Sequence, residues 1–245
     1  NATDPLFSRN AWVGIEGKFG RLSFGRQTNP TYGVMSRLSP FGSSVVFSPL
    51  ALQSFVAAYG SNILGDSVWN NVVQYTAPEH AGLRGSILYG LGEVAGRPGM
   101  ANLGLHGTYS SGKFMAALSV QRLRINNTTP LSVEQNAVLA GATYDFGPVK
   151  VYGNTVRTSI DGGASTRLFD AGLSIPAFSS GAFLAEMAQS RIESPGAADL
   201  RRTTSSVGYD YRLSVRTDVY LVGSLDKRSN AASAPTAAVG IRHAF

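Results

Sequence analysis

Along most of its length the chain alternates apolar and polar side chains with a period of two, in segments of about ten residues bounded by Gly, Ser, Asn, Asp or Pro. In KFMAALSVQ, Phe114, Ala116, Leu118 and Val120 share one face, and Met115, Ala117, Ser119 and Gln121 share the other. SSVGYDYRL sets Val207, Tyr209 and Tyr211 against Ser206, Gly208, Asp210 and Arg212. Helical spacing would mix Asp210 and Arg212 among the apolar residues, so these stretches read as strands. The alternation runs to the end of the sequence, VGIRHAF: Val239, Ile241 and Phe245 fall on one face, and Gly240, Arg242 and Ala244 on the other. His243 interrupts the apolar face close to the terminus, where an imidazole can stay wet.

About thirteen such strands start near residues 9, 20, 69, 82, 102, 112, 135, 148, 166, 181, 203, 215 and 236. Tight turns at 17–20, 78–82, 110–113, 146–148, 178–181 and 212–215 alternate with longer polar connections near 94–101, 123–134, 157–165, 191–202 and 226–235. Short turns on one rim and long loops on the other are what an antiparallel up-and-down transmembrane β-barrel requires, because one rim faces the environment. A soluble sandwich has no such need. An odd number of strands leaves the first and last without partners, and each unpaired backbone group in hydrocarbon costs several kcal/mol. The reading is therefore a single barrel domain over 1–245, with three further strands expected before Asn1.

Composition narrows the chemistry. The 245 residues hold no cysteine, so disulfide and thiolate chemistry are out. There is no run of about 18 apolar residues, hence no transmembrane helix. The 21 Lys and Arg give a net charge of +6 but are scattered, without the clustering expected of a nucleic-acid partner. His80, His106 and His243 are far apart, and no G-x-S-x-G elbow singles out a serine. No metal, cofactor or enzyme activity is expected.

One connection departs from the rest. From about residue 28 to 69 two adjacent strands are joined by some forty residues rich in apolar side chains, among them Tyr32, Met35, Leu38, Phe41, Leu50 and Phe55. Its charges are Arg37 and Asp66. Such a segment would aggregate if it dangled in water, so it is expected to fold back onto the inner wall and narrow the lumen.

With that loop in place, SRNAWVGIEGKFGRLSFGRQ (8–27), VVQYTAPEHAGLRGSILYGLG (72–92) and AVGIRHAF together resemble the strands around the constriction loop, and the terminal strand, of Gram-negative general porins of the beta-proteobacterial type. The resemblance implies a sixteen-stranded outer-membrane barrel, a homotrimer set among lipid and lipopolysaccharide, with 28–69 as the constriction loop. It implies that Phe245 is the aromatic signal read by barrel-assembly machinery, and that Arg26, closing an FGR triplet, is a wall arginine of the eyelet. Strict alternation from Leu22 and Phe24 would send Arg26 outward unless a bulge intervenes.

In such a pore the work is electrostatic filtering in water, with no covalent step. Candidate constriction and lumen residues are Arg26, Arg37 and Asp66, joined by parity by Arg84, Lys150 and Arg242. Glu16, Asp170, Glu186, Asp210 and Asp218 are inward acids by the same rule. With Asp66 the one acid on the loop, the expected channel passes small hydrophilic solutes and ions with an anion preference. An adhesin or structural anchor, and a solute-specific channel with an aromatic slide, are the alternatives.

Overall fold

The computed structural model describes residues 9–56, 64, 67–92, 102–125 and 133–244. Thirteen strands form one sheet in strict sequence order, β1 to β13, every neighbour antiparallel. The strands are β1 (Ala11–Gly17), β2 (Gly20–Thr28), β3 (Val68–Thr76), β4 (Leu83–Gly90), β5 (Asn102–Ser111), β6 (Phe114–Ile125) and β7 (Val133–Asp145), followed by β8 (Lys150–Ile160), β9 (Ser165–Ala177), β10 (Gly181–Glu193), β11 (Leu200–Arg212), β12 (Thr217–Arg228) and β13 (Ala234–His243). Each begins within three residues of the start expected from alternation. The sheet is not closed: β1 and β13 are its two edges. No helix among the described residues is long and apolar enough to cross a membrane, which leaves crossing by strands untouched.

The two faces differ as the alternation requires. Outward residues are large, apolar and exposed: Val13 at 73 %, Val207 at 62 % and Val239 at 81 %. Toward the rim of short turns this face carries aromatic pairs, Tyr109 with Phe114, Tyr144 with Phe146, and Phe183 with Tyr209. Amphipathic rings suit the boundary between apolar and wet surroundings. Trp12, by contrast, faces inward beneath the Arg21 guanidinium, 5.4 Å from its ring centre. The contrast between rims is weaker than expected in the second half: β8 and β9 are joined by only four residues, 161–164.

The long connection does fold onto the inner wall, and it contains two short helices that alternation alone does not reveal. Helix α1 (Pro30–Leu38) starts at Asn29, whose side chain accepts from Thr31 N; α2 (Pro49–Phe55) starts at Ser48, which accepts from Ala51 N. In both, proline occupies the first helical turn, where a missing N–H costs nothing. The main apolar core lies between this segment and the wall. Val34, Met35, Leu38, Leu50 and Phe55 pack on Met115, Leu139, Val156, Leu168 and other inward residues of β6–β10.

Candidate functional site

The wall beneath the folded segment is shaped to receive it. A Cβ at Gly141 would fall 2.9 Å from both Leu38 methyls, at Gly172 2.9 Å from Pro40 Cδ, and at Gly208 3.1 Å from Phe41 Cε1. The three glycines, on β7, β9 and β11, thus open bays that larger side chains would fill. Around them runs a diagonal of polar anchors. Asn29 Nδ2 donates to Gln121 Oε1 at 2.6 Å, Thr31 meets Ser119, and Asn154 Nδ2 donates to Leu38 O at 2.9 Å. Glu186 accepts from Ser39 Oγ at 2.6 Å, Ser48 Oγ at 3.3 Å and Leu50 N at 3.3 Å. Gln53 Nε2 donates to Ala188 O at 3.0 Å and Thr204 Oγ1 at 2.8 Å. Asp170 accepts from Asn154 Nδ2 at 2.6 Å. Parity sends Asp170 and Glu186 inward, as expected, but the loop covers them, and both are buried. Glu186 holds the loop directly and Asp170 braces Asn154, which bonds Leu38 O.

On the other side of α1 lies an opening lined by polar and cationic side chains. A cavity of about 380 Å³ separates the helix from the inward faces of β1–β5. Arg21, Arg37 and Arg84 line it, with His106 and Thr108 beside them. Register explains the wall side: Arg84 stands opposite Thr108, and Ser86 opposite His106, on the inward face of β4 and β5. Arg37 comes from the last turn of α1 and donates from Nη2 to Ser110 Oγ at 3.0 Å. No carboxylate is among the described residues that line this cavity. Glu16, although opposite Arg21 in register, lies outside the lining. The Arg84–Glu79 pair, 3.9 Å apart and exposed on both sides, neutralises little.

The other candidates are distributed. The pairing of β2 with β3 does shift between Gly25 and Gln27, yet Ser23 and Gln27 remain on one buried side, hydrogen-bonded to each other at 2.6 Å. Arg26, between them, bonds Asn70 and does not line the cavity. Arg21 lines the wall instead. Parity from Leu22 and Phe24 points to it directly, a signal that the FGR triplet obscured. Lys150 lies 5.0 Å from the ring of Tyr152. Arg242 is held by Asp218, 2.9 Å away, and Asp210, 3.4 Å away. Asp66 and Phe245 lie outside the described residues. A larger recess of about 970 Å³ flanks the 39–47 arm of the loop, where Tyr32, Phe41, Phe47, Tyr152 and Tyr220 gather near Asp210 and Arg242.

Comparison with known proteins fits this architecture. An outer membrane porin protein of Bordetella pertussis is 26 % identical over 290 residues, an alignment spanning 98 % of this chain and 72 % of that protein. The solved anion-selective porin from Comamonas acidovorans superposes with a TM-score of 0.80 at 22 % identity, over 98 % of this chain and 78 % of that one. The trimer form of OmpT from Vibrio cholerae gives 0.64 at 15 % identity, over 96 % and 80 %. The family model for Gram-negative porins matches residues 1–231. An apolar outer face, a strand order without crossovers and an inward-folded segment over a cationic opening thus meet in one assignment: the chain belongs to the Gram-negative porin family and sits in the outer membrane.

Proposed function

We propose that the protein is a general diffusion channel for small hydrophilic solutes and that it favours anions. Porins are channels, not enzymes, so the question is what the opening selects. The observation that carries the reading is the cavity between α1 and β1–β5, which Arg21, Arg37 and Arg84 line without a carboxylate among the described residues. A unit charge about 4 Å from one guanidinium gains about 1 kcal/mol even in bulk water, and more between low-dielectric walls. Three such groups along one path favour anions several-fold. The Comamonas protein that shares the fold is itself anion-selective. Reversal potentials in a salt gradient test the reading: the zero-current potential should have the sign of anion permeation, and a cation sign overturns it.

The functional form of this reading is a homotrimer in which the edges of β1 and β13 are paired, since an open edge in lipid strands backbone donors. Size measurement of the protein extracted from its outer membrane tests this.

A second reading, a solute-specific channel, draws on the aromatic recess of Tyr32, Phe47, Tyr152 and Tyr220 beside Asp210 and Arg242. Saturable flux of an aromatic acid, lost in Y152A, would favour it over the general channel. Flux linear in concentration would exclude it.

A further inference from the structure

Toward the rim of short turns, the recess of about 970 Å³ brings charged groups and aromatic rings together on the inner wall. Register places them in two adjacent rows: Asp210, Tyr220 and Gly240 in one, and Arg212, Asp218 and Arg242 in the next. A Cβ at Gly240 would fall 2.5 Å from Tyr220 Oη, so the glycine lets the phenol lie across β13. The loop arm faces them. Phe47 meets the Tyr220 ring edge-on at 6.4 Å, and Val45 and Val46 line the recess yet stay exposed.

These charges form a dipole on one patch of wall. Arg242 presents Nε and Nη2 to Asp218, at 3.1 and 2.9 Å, and the same Nη2 lies 3.4 Å from Asp210. Those contacts use one edge of the guanidinium. Its side chain is exposed, and among the described residues its Nη1 has no partner. Asp210 makes the longer contact and keeps acceptor capacity for a second donor.

A passing ion of either sign meets an acid and a base at once and gains little from the pair. A solute that carries both charges gains from each: its carboxylate from the open end of the guanidinium, its ammonium from Asp210. An α-amino acid holds its two charges on either side of one carbon, which suits wall charges 3.4 Å apart. An apolar side chain on that carbon can lie against Phe47, Tyr220 and the two exposed valines and cover their apolar surface. The recess is also large enough, since small-molecule sites run from about 300 to about 1,000 Å³.

We propose that this recess is a binding site for zwitterionic α-amino acids with apolar side chains, aromatic ones above all, held by carboxylate on Arg242, ammonium on Asp210 and ring against Phe47 and Tyr220. It rests on the solute-specific reading and narrows the ligand from an aromatic acid to a zwitterion. The test uses the full-length protein extracted from its outer membrane, in planar bilayers at neutral pH. Residence times are read from interruptions of single-channel current by L-phenylalanine, by phenylpropionate, which lacks the ammonium, by phenethylamine, which lacks the carboxylate, and by glycine, which lacks the apolar side chain. Phenylalanine should stay about tenfold longer than each of the others. In D210N its advantage over phenylpropionate should shrink below about twofold, and in R242Q its advantage over phenethylamine should do the same. Both solutes are compared within one variant, so the ratio does not depend on how much of that variant folds, and the four solutes on the parent decide even where a variant fails to insert. Equal residence of phenylpropionate overturns the zwitterion and leaves the aromatic-acid reading standing. Equal residence of phenethylamine would make this a cation site, and equal residence of glycine would leave the rings without a role; either overturns the proposal. So do unchanged ratios in the variants. Phenylalanine flux that is linear in concentration and free of interruptions overturns the proposal and the solute-specific reading together, leaving the general channel. Calorimetry on the extracted protein covers a parent that does not conduct: the same order of affinities upholds the site, and absence of binding overturns it.

Discussion

Two stretches of the same inner wall have opposite characters. Under the folded segment, β6–β11 present glycine bays, amides, hydroxyls and two buried carboxylates, Glu186 bonded to the loop and Asp170 to Asn154. Across α1, β1–β5 present Arg21, Arg84 and His106 to an open cavity. Both alternate with the same period and both are backed by exposed apolar residues. Inward parity gives a side chain's direction but not its company. Position under the loop decides whether an inward acid is a selectivity group or an anchor.

Replacing Glu186 should have the strongest consequence. E186A leaves Ser39, Ser48 and the Leu50 amide without their acceptor, a loss of about 3 kcal/mol or more of loop docking. Limited proteolysis should then cut within 39–48, and single-channel conductance should rise; E186Q, which keeps one acceptor oxygen, should do less. Next is steric: G172L drives a side chain into Pro40 and should cost about 1–3 kcal/mol, read as noisier conductance and a lower melting temperature. A171L, on the outward face, should cost little. On the open side, R21Q, R37Q and R84Q should each reduce the anion-to-cation permeability ratio by about two- to five-fold without altering stability. R242Q should change it less, because Asp210 and Asp218 already hold that charge. The mildest change needs no mutation: between 0.1 and 1 M salt the screening length falls from about 10 to about 3 Å, and the permeability ratio should drift toward unity.

Much of the fold was legible because alternation is a local property. Strand starts and the up-and-down order of the strands followed from it, whereas the tucked segment was legible from the apolarity of a stretch that breaks the alternation. The helices α1 and α2 were announced only by Asn29-Pro30 and Ser48-Pro49, weak signals inside a run with no clear period. Arg37 and Arg84, candidates from the sequence, line the cavity beside α1, and so does Arg21, to which the parity of Leu22 and Phe24 points although the FGR triplet points to Arg26. The anchoring role of Glu186 could not be seen: its partners lie 136 to 147 residues away in sequence, and no local pattern encodes which inward acid a distant loop will cover.

That separation also orders assembly in time. Gln53 closes its contact with Thr204 across 151 residues, and Asn29 reaches Gln121 across 92. Closing such loops costs chain entropy that is recovered only after the intervening strands have paired. The folded segment is therefore expected to dock late, onto strands already paired, so a chain arrested before β10 and β11 pair would lack the wall side of its Gln53 contacts.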